Sequence, residues 1–163
     1  WAWHTPLILA AMHGHTDAVH LLVKAGAQPD LVDQNGDTAL ICAVVQGHMD
    51  AAKCLVDAKA SVFVANASGK TALDVAIESG DSAMLAVLTR EAMWHTVEMR
   101  DLGLLQHLIA AKVSLDVKND RGEAPLVAFA SQGFSDAVQM LLEAKADVDI
   151  KDNSFKIALQ LAL

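Results

Sequence analysis

One pattern in this chain recurs at a fixed step. Thr5-Pro6-Leu7, Thr38-Ala39-Leu40 and Thr71-Ala72-Leu73 lie 33 residues apart, Gly14, Gly47 and Gly80 keep the same step, and so do Gly36 and Gly69. The unit is clearest over residues 33–60. A turn, Asp33-Gln34-Asn35-Gly36, leads to Thr38, which is placed to cap a short apolar helix; Gly47 stops that helix and a second begins near Asp50. An isolated helix shorter than ~12 residues is marginal in water. A unit of two such helices therefore needs copies of itself on both sides, and the chain supplies them.

In the first repeat the spacing predicts a helix over 6–13, with Thr5 as N-cap and Pro6 at the first helical position, where its missing N–H costs nothing. A second helix is expected over 17–24, with Gly26 in the left-handed position after it. The third repeat opens with Asn66-Ala67-Ser68-Gly69, continues as a helix over 71–78, stops at Gly80 and starts its second helix near Asp81. Then the period breaks. Leu108-Ile109 match Leu141-Leu142 at the 33-residue step, and counting back from them places a first helix over 91–99, ending near Arg100. That leaves too few residues for a turn finger, so one finger is expected to be missing near residues 88–100. The third repeat's second helix should run with little or no finger into the fourth repeat's first helix, since neither proline nor glycine interrupts residues 81–102. The pattern returns in a fifth repeat with Asn119-Asp120-Arg121-Gly122-Glu123-Ala124-Pro125-Leu126, Gly133 and Met140-Leu141-Leu142, and a sixth starts at Asp152. Repeat arrays carry terminal caps with a polar outer face, whereas residues 157–163 are apolar. The chain is accordingly expected to be a piece of a longer array or complex, with docking of the apolar end on a partner as the alternative.

The run Thr5-Pro6-Leu7-Ile8-Leu9-Ala10-Ala11-Met12-His13-Gly14-His15, followed by Leu21-Leu22 and Gly26-Ala27, resembles the ankyrin-repeat family, whose unit is a turn and two helices with this period. The resemblance covers nearly the whole chain. It implies an all-α solenoid of helix-turn-helix units with short β-turn fingers. Residues 1–163 would form a single array of about five to six repeats, both terminal ones incomplete, with the irregular fourth at 91–118. The family's Thr-Pro-Leu-His histidine is absent from every copy. Ile8, Ile41, Asp74, Trp94 and Val127 stand in its place, so hydrophobic packing must replace its polar network, and Trp94 is expected in the core. After the second helices Gly26 gives way to Lys59, Lys112 and Lys145. A left-handed non-glycine residue costs about 1 kcal/mol, which predicts modest stability.

Apolar residues make up 53% of the chain and mean hydropathy is +0.32. The longest apolar run is only the seven residues 39–45, against the ~18–20 needed to cross a bilayer, so no direct membrane insertion is expected. The opening Trp-Ala-Trp-His-Thr-Pro does not read as a signal peptide. The formal net charge is −8 and the twelve basic residues are scattered. Nucleic acid binding needs clustered Lys and Arg, so the charge argues against nucleic acid and favours a protein partner with a basic or neutral surface. Cys42 and Cys54 both fall on apolar helical faces. They are expected to be buried and reduced, in an intracellular, cytoplasmic setting.

Seven histidines invite a metal reading, notably His13, His15 and His48. His15 and His48 occupy the family's Gly-His position, where the ring is structural, and neither Cys-x-x-Cys nor His-Glu-x-x-His occurs. No metal or cofactor is expected. A thiol nucleophile needs a base and an orienting group beside it, and the two cysteines read as small core residues. Gly36, Gly69 and Gly122 are turn glycines at positive φ rather than a phosphate loop, and most carboxylates read as solvated.

What remains is surface. Carried over by position, the resemblance points to a concave groove, interrupted where the finger is missing. On its fingers it points to Gln34, Asn35, Asp37, Ala67, Ser68, Lys70, Asp120, Arg121 and Glu123. On its first helices it points to Met12, His13, Val45, Gln46, Glu78, Ser79, Glu98, Met99, Ser131 and Gln132. Singly each is ordinary solvent surface; as a set they outline a partner-binding face. The expected function is protein–protein interaction without catalysis. The alternatives are a regulatory or targeting domain of a larger enzyme and a structural subunit of a large assembly.

Overall fold

The computed structural model describes residues 3–150. The sixth repeat and the apolar residues 157–163 lie outside the described residues. Among those described there are nine α-helices and no strand beyond an isolated bridge, Val32 to Thr38, at the base of the first finger. The chain divides into two compact units, Trp1–Leu88 and Thr89–Leu163.

In the first unit the helices come in pairs: α1 (Pro6–Met12) with α2 (Thr16–Lys24), α3 (Ala39–Val45) with α4 (Met49–Asp57), then α5 (Ala72–Ser79). α3 packs between α1 and α5, and α4 packs on both α2 and α3. First helices thus form one row and second helices another. Thr5, Thr38 and Thr71 cap their helices as the spacing predicts, each side-chain oxygen accepting from the backbone N–H three residues on. The stops hold as well: Gly26, Gly47 and Gly80 are left-handed, at φ 88°, 71° and 69°.

Burial follows the period. Leu7, Leu40 and Leu73 are at most 2% exposed, and Ile8 and Ile41, in the place of the family's histidine, at most 1%. Completely burying one such side chain contributes about 1.5–3 kcal/mol. Hydrophobic packing does replace the polar network there. In the third repeat Asp74 does something else. Its carboxylate accepts from the Thr71 N–H while Thr71 Oγ1 accepts from the Asp74 N–H, a reciprocal capping box.

At the break in the period, α6 runs from Ser82 to Met99 as one helix of 18 residues. Asp81 Oδ1 accepts from the N–H groups of Ala83 and Met84 at its start. Arg100, left-handed at φ 54°, ends it, and Asp101 at once caps α7 (Leu102–Ala110). The missing finger is therefore replaced by helix.

In the second unit α9 (Ser135–Glu143) packs on α7 and on α8 (Pro125–Ser131), around Met93, Leu105, Leu108, Leu126, Phe129 and Leu141. Trp94 corrects the expectation of a core residue. It is only half-buried, and its indole N–H donates to the Val117 carbonyl at 3.1 Å. An indole N–H needs a partner when buried, and this one is found in the loop before the next finger. Arg90, also on α6, bonds Asp120 in that finger at 2.9 Å. The finger at 119–123, separated from the finger at 66–70 by the 48 residues 71–118, is tied to a helix instead.

Lys59, Lys112 and Lys145 are left-handed, at φ 64°, 54° and 66°. Replacing Lys112 or Lys145 with glycine should stabilise the chain by about 0.5–1 kcal/mol each, as relief of the steric cost outweighs the added freedom of the unfolded chain. Urea or thermal unfolding reads this directly, and a loss of stability would show that these backbones are not strained.

Candidate partner-binding surface

Three fingers are built by one local device. Asp33 Oδ1 accepts from the N–H groups of Asn35 and Asp37, Asn66 Oδ1 from Ser68 and Lys70, and Asn119 Oδ1 from Arg121 and Glu123, all at 2.8–3.0 Å. An Asp or Asn that folds its side chain onto the backbone two residues on is the usual initiator of a tight turn. A glycine closes each turn three residues later: Gly36, Gly69 and Gly122, at φ 76°, 75° and 73°. Asp33 is an exception among carboxylates that read mostly as solvated. It is 6% exposed, with His4 Nε2 at 3.4 Å from its second oxygen. Its signal in the sequence was the Asx residue recurring three before each finger glycine.

The first two fingers touch. The Ala67 N–H donates to the Asn35 carbonyl at 2.9 Å, and Asn66 Nδ2 donates to Asp37 Oδ1 at 2.8 Å. The approach is close enough that a Cβ on Gly36 would stand 2.7 Å from the Ala67 nitrogen. At the far end of the first helices, His48 Nε2–H donates to the Met12 carbonyl at 3.1 Å. Its ring lies against Gly14, where a Cβ would come within 2.6 Å of it. His48 is thus structural, as expected. His15 is not in the same way: it is exposed, its ring centroid 5.9 Å from that of His13, with no comparable hydrogen bond among the described residues.

The candidate residues fall into two sets. In the first unit Gln34, Asn35, Ala67 and Ser68 are exposed at finger tips, and Asp37 and Lys70 are half-buried at finger bases. His13, Val45, Gln46, Glu78 and Ser79 are exposed at first-helix ends, with Met12 half-buried beside them. Lys70 and Glu78 form an ion pair of 2.6 Å, with 45% and 57% of their side chains exposed. In the second unit Glu98, Met99, Asp120, Arg121, Ser131 and Gln132 are exposed and Glu123 is half-buried. Glu123 accepts from Asn119 Nδ2, and Arg100 Nε donates to Gln132 Oε1 at 3.2 Å. Arg90 and Arg100 belong to this surface by contact and were not among the candidates. Both sit on or beside α6, where the finger is missing and the resemblance supplies no finger position to carry over.

The cysteines differ. Cys42 is buried, and its thiol is pushed up to about 11 by burial first and by the charges of Asp37 and Asp33 next. Cys54 corrects the expectation of a buried pair. It is half-buried, with a thiol raised by burial and by Asp57. Both are free, and among the described residues no group of three His, Cys, Asp or Glu gathers as a metal-ligand set. No described helix is long and apolar enough to cross a membrane.

A family model described as ankyrin repeats, in three copies, matches residues 7–97, and one described as ankyrin repeat matches residues 121–153. The gap between them holds α7 and the loop after it, where the period is broken. Among solved structures, the crystal structure of EF0377, an ankyrin repeat protein, is similar, with a TM-score of 0.52 and 25% identity over 96% of this chain and 89% of that one. No curated protein matches the chain.

Gly14 and Gly47 share the left-handed conformation, but nothing lies within 4 Å of a Cβ on Gly47. Gly47→Ala should therefore cost about 1 kcal/mol and Gly14→Ala at least about 2, because the second also collides with a packed ring. Removing the ring by His48→Ala should close that gap in a double-mutant cycle; equal costs without it would mean the ring yields freely. For the thiols, iodoacetamide at mild alkaline pH should label Cys54 well before Cys42. The raised Cys42 value stabilises the fold below pH 9, and that contribution is lost as pH climbs toward about 11. Cys42→Ala should lessen the fall in stability over that window, measured by denaturant titration.

Proposed function

Because the chain belongs to the ankyrin-repeat family, we propose that it is a protein-binding module without chemistry of its own, and that the fingers and first-helix ends of each unit meet the partner. One observation carries this reading. At these positions the backbone is held by side-chain, inter-finger and inter-repeat hydrogen bonds, while the side chains at the tips stay exposed. A preformed backbone loses little conformational entropy on binding, so contact energy is not spent on ordering. Exposed Val45 and Met99, at 57% and 66%, supply apolar area, and Gln34, Asn35, Ser68 and Gln46 supply hydrogen-bonding groups beside it in the first unit.

The absence of catalysis is part of the proposal. Cys42, the nucleophile a chemist would try first, is buried with its thiol held protonated, which disfavours attack. The unpaired thiols also favour a reducing compartment, and we take the setting to be intracellular and cytoplasmic.

Crosslinking mass spectrometry on the chain in its native extract tests the face. Crosslinks to one other protein should start from Lys70, on a finger, and not from Lys24 or Lys53 on the second helices. Val45→Glu should abolish them with the fold intact by circular dichroism. Crosslinks confined to Lys24 and Lys53, or indifferent to Val45→Glu, would reject the finger face.

A further inference from the structure

We infer that the finger face of the first unit docks a protein segment carrying a basic side chain beside an aliphatic one: the aliphatic group lies on Met12 and Val45, and the cation faces Asp37 and Glu78. The inference rests on the reading that this face binds protein, and it names the chemistry of the partner.

The apolar half comes from the period. Met12 and Val45 are 33 residues apart, so they occupy the same place on α1 and α3, and those helices pack against each other. The Met12 carbonyl is held by His48, which fixes this end of α1 to the next repeat. In the third repeat the same place holds Glu78, so the apolar strip ends in a carboxylate.

The charged half comes from a count that the fold makes meaningful. Residues 5–13, 33–46 and 66–79, which hold the fingers and first helices of this unit, carry four carboxylates, Asp33, Asp37, Asp74 and Glu78, against one lysine, Lys70; Asp33 is buried beside His4 and Asp74 closes the α5 capping box, so Asp37 and Glu78 are the two that a partner can reach. Lys70 is already engaged by Glu78. Among the described residues the Asp37 carboxylate accepts from the neutral amide of Asn66, and a carboxylate has acceptor sites to spare after one such bond. The same charge reaches the Cys42 thiol and helps hold it protonated. Against a field of this sign an acidic segment is repelled, and a cation gains most where burial limits screening, as at half-buried Asp37.

The test is selection of random peptides displayed on phage against the intact immobilised chain, followed by fluorescence anisotropy with the selected peptides. The expected peptides are enriched in Lys or Arg next to Leu, Ile, Val or Met. Their affinity should fall at least about fivefold between about 50 and about 500 mM NaCl. Asp37→Asn, which keeps an acceptor for Asn66, should weaken them about three- to tenfold and flatten the salt dependence, and Glu78→Gln, at an exposed position, should act in the same direction. Val45→Ser should cost about tenfold and leave the salt dependence unchanged. Peptides without basic residues whose binding ignores salt but is lost with Val45→Ser would overturn the basic partner and leave the face standing. Binding indifferent to all three substitutions would overturn the face as well, and failure to recover any binder also counts against the inference.

Discussion

Seven apolar residues in a row, Ala39–Val45, wrap all the way round a helix of two turns. A helix so short, apolar on every side, exists only with neighbours on every side. α3 has them in α1, α4 and α5, and its first six residues are buried. The rest of the first unit follows from that requirement. A helix of seven residues makes too few of its own hydrogen bonds to outweigh the cost of nucleation. Its free energy comes from side chains such as Leu40 and Ile41, removed from water by the repeat before and the repeat after. Stability in an array of this kind is a sum of weak units and the interfaces between them.

Polar groups decide the alignment that apolar packing leaves loose. Burial is non-directional, whereas a hydrogen bond has a geometry. The Asn35 carbonyl with the Ala67 N–H, Asn66 with Asp37, and His48 with the Met12 carbonyl are bonds from one repeat to the next. They hold finger to finger and helix end to helix, and so set the spacing of the exposed side chains between them. In the second unit the same work falls to α6, which reaches the finger at 119–123 through Arg90 and the loop just before it through Trp94. A continuous helix leaves no turn whose backbone could make the bond, so side chains make it.

The charge of the chain takes on meaning only when divided by place. A formal charge of −8 says what the molecule repels. On the fingers and first helices of the first unit, Asp33 is buried beside His4, Asp74 closes a capping box and Glu78 pairs with Lys70, so Asp37 is the carboxylate there that meets a neutral amide and would welcome a cation. The aliphatic strip on the same face keeps this from being a purely electrostatic surface, and binding there would combine a term that salt screens with one that it does not.

Much of this was legible in the residues. The repeat period, the threonine caps, the glycine stops, the left-handed lysines and the run of helix across the missing finger all depend on residues within a turn or two of each other, and short-range sterics and hydrogen bonding act the same way wherever the segment sits. The fingers, too, were in plain view as Asx and glycine three apart, although the burial of Asp33 was not. What the tertiary structure alone decided concerns partners distant in the chain. His48 and His15 share a motif position, and among the described residues it is the ring of His48 that finds a carbonyl, that of Met12, 36 residues away. Trp94 stays half-buried because the acceptor for its indole lies 23 residues on, and Arg90 and Arg100 join the surface through Asp120 and Gln132, 30 and 32 residues on. Cys54 is left partly open where Cys42 is closed, although each lies on an apolar face. Periodicity tells which side of a helix turns inward; how deeply a residue is covered, and what its polar atoms meet there, depends on chain that arrives from elsewhere.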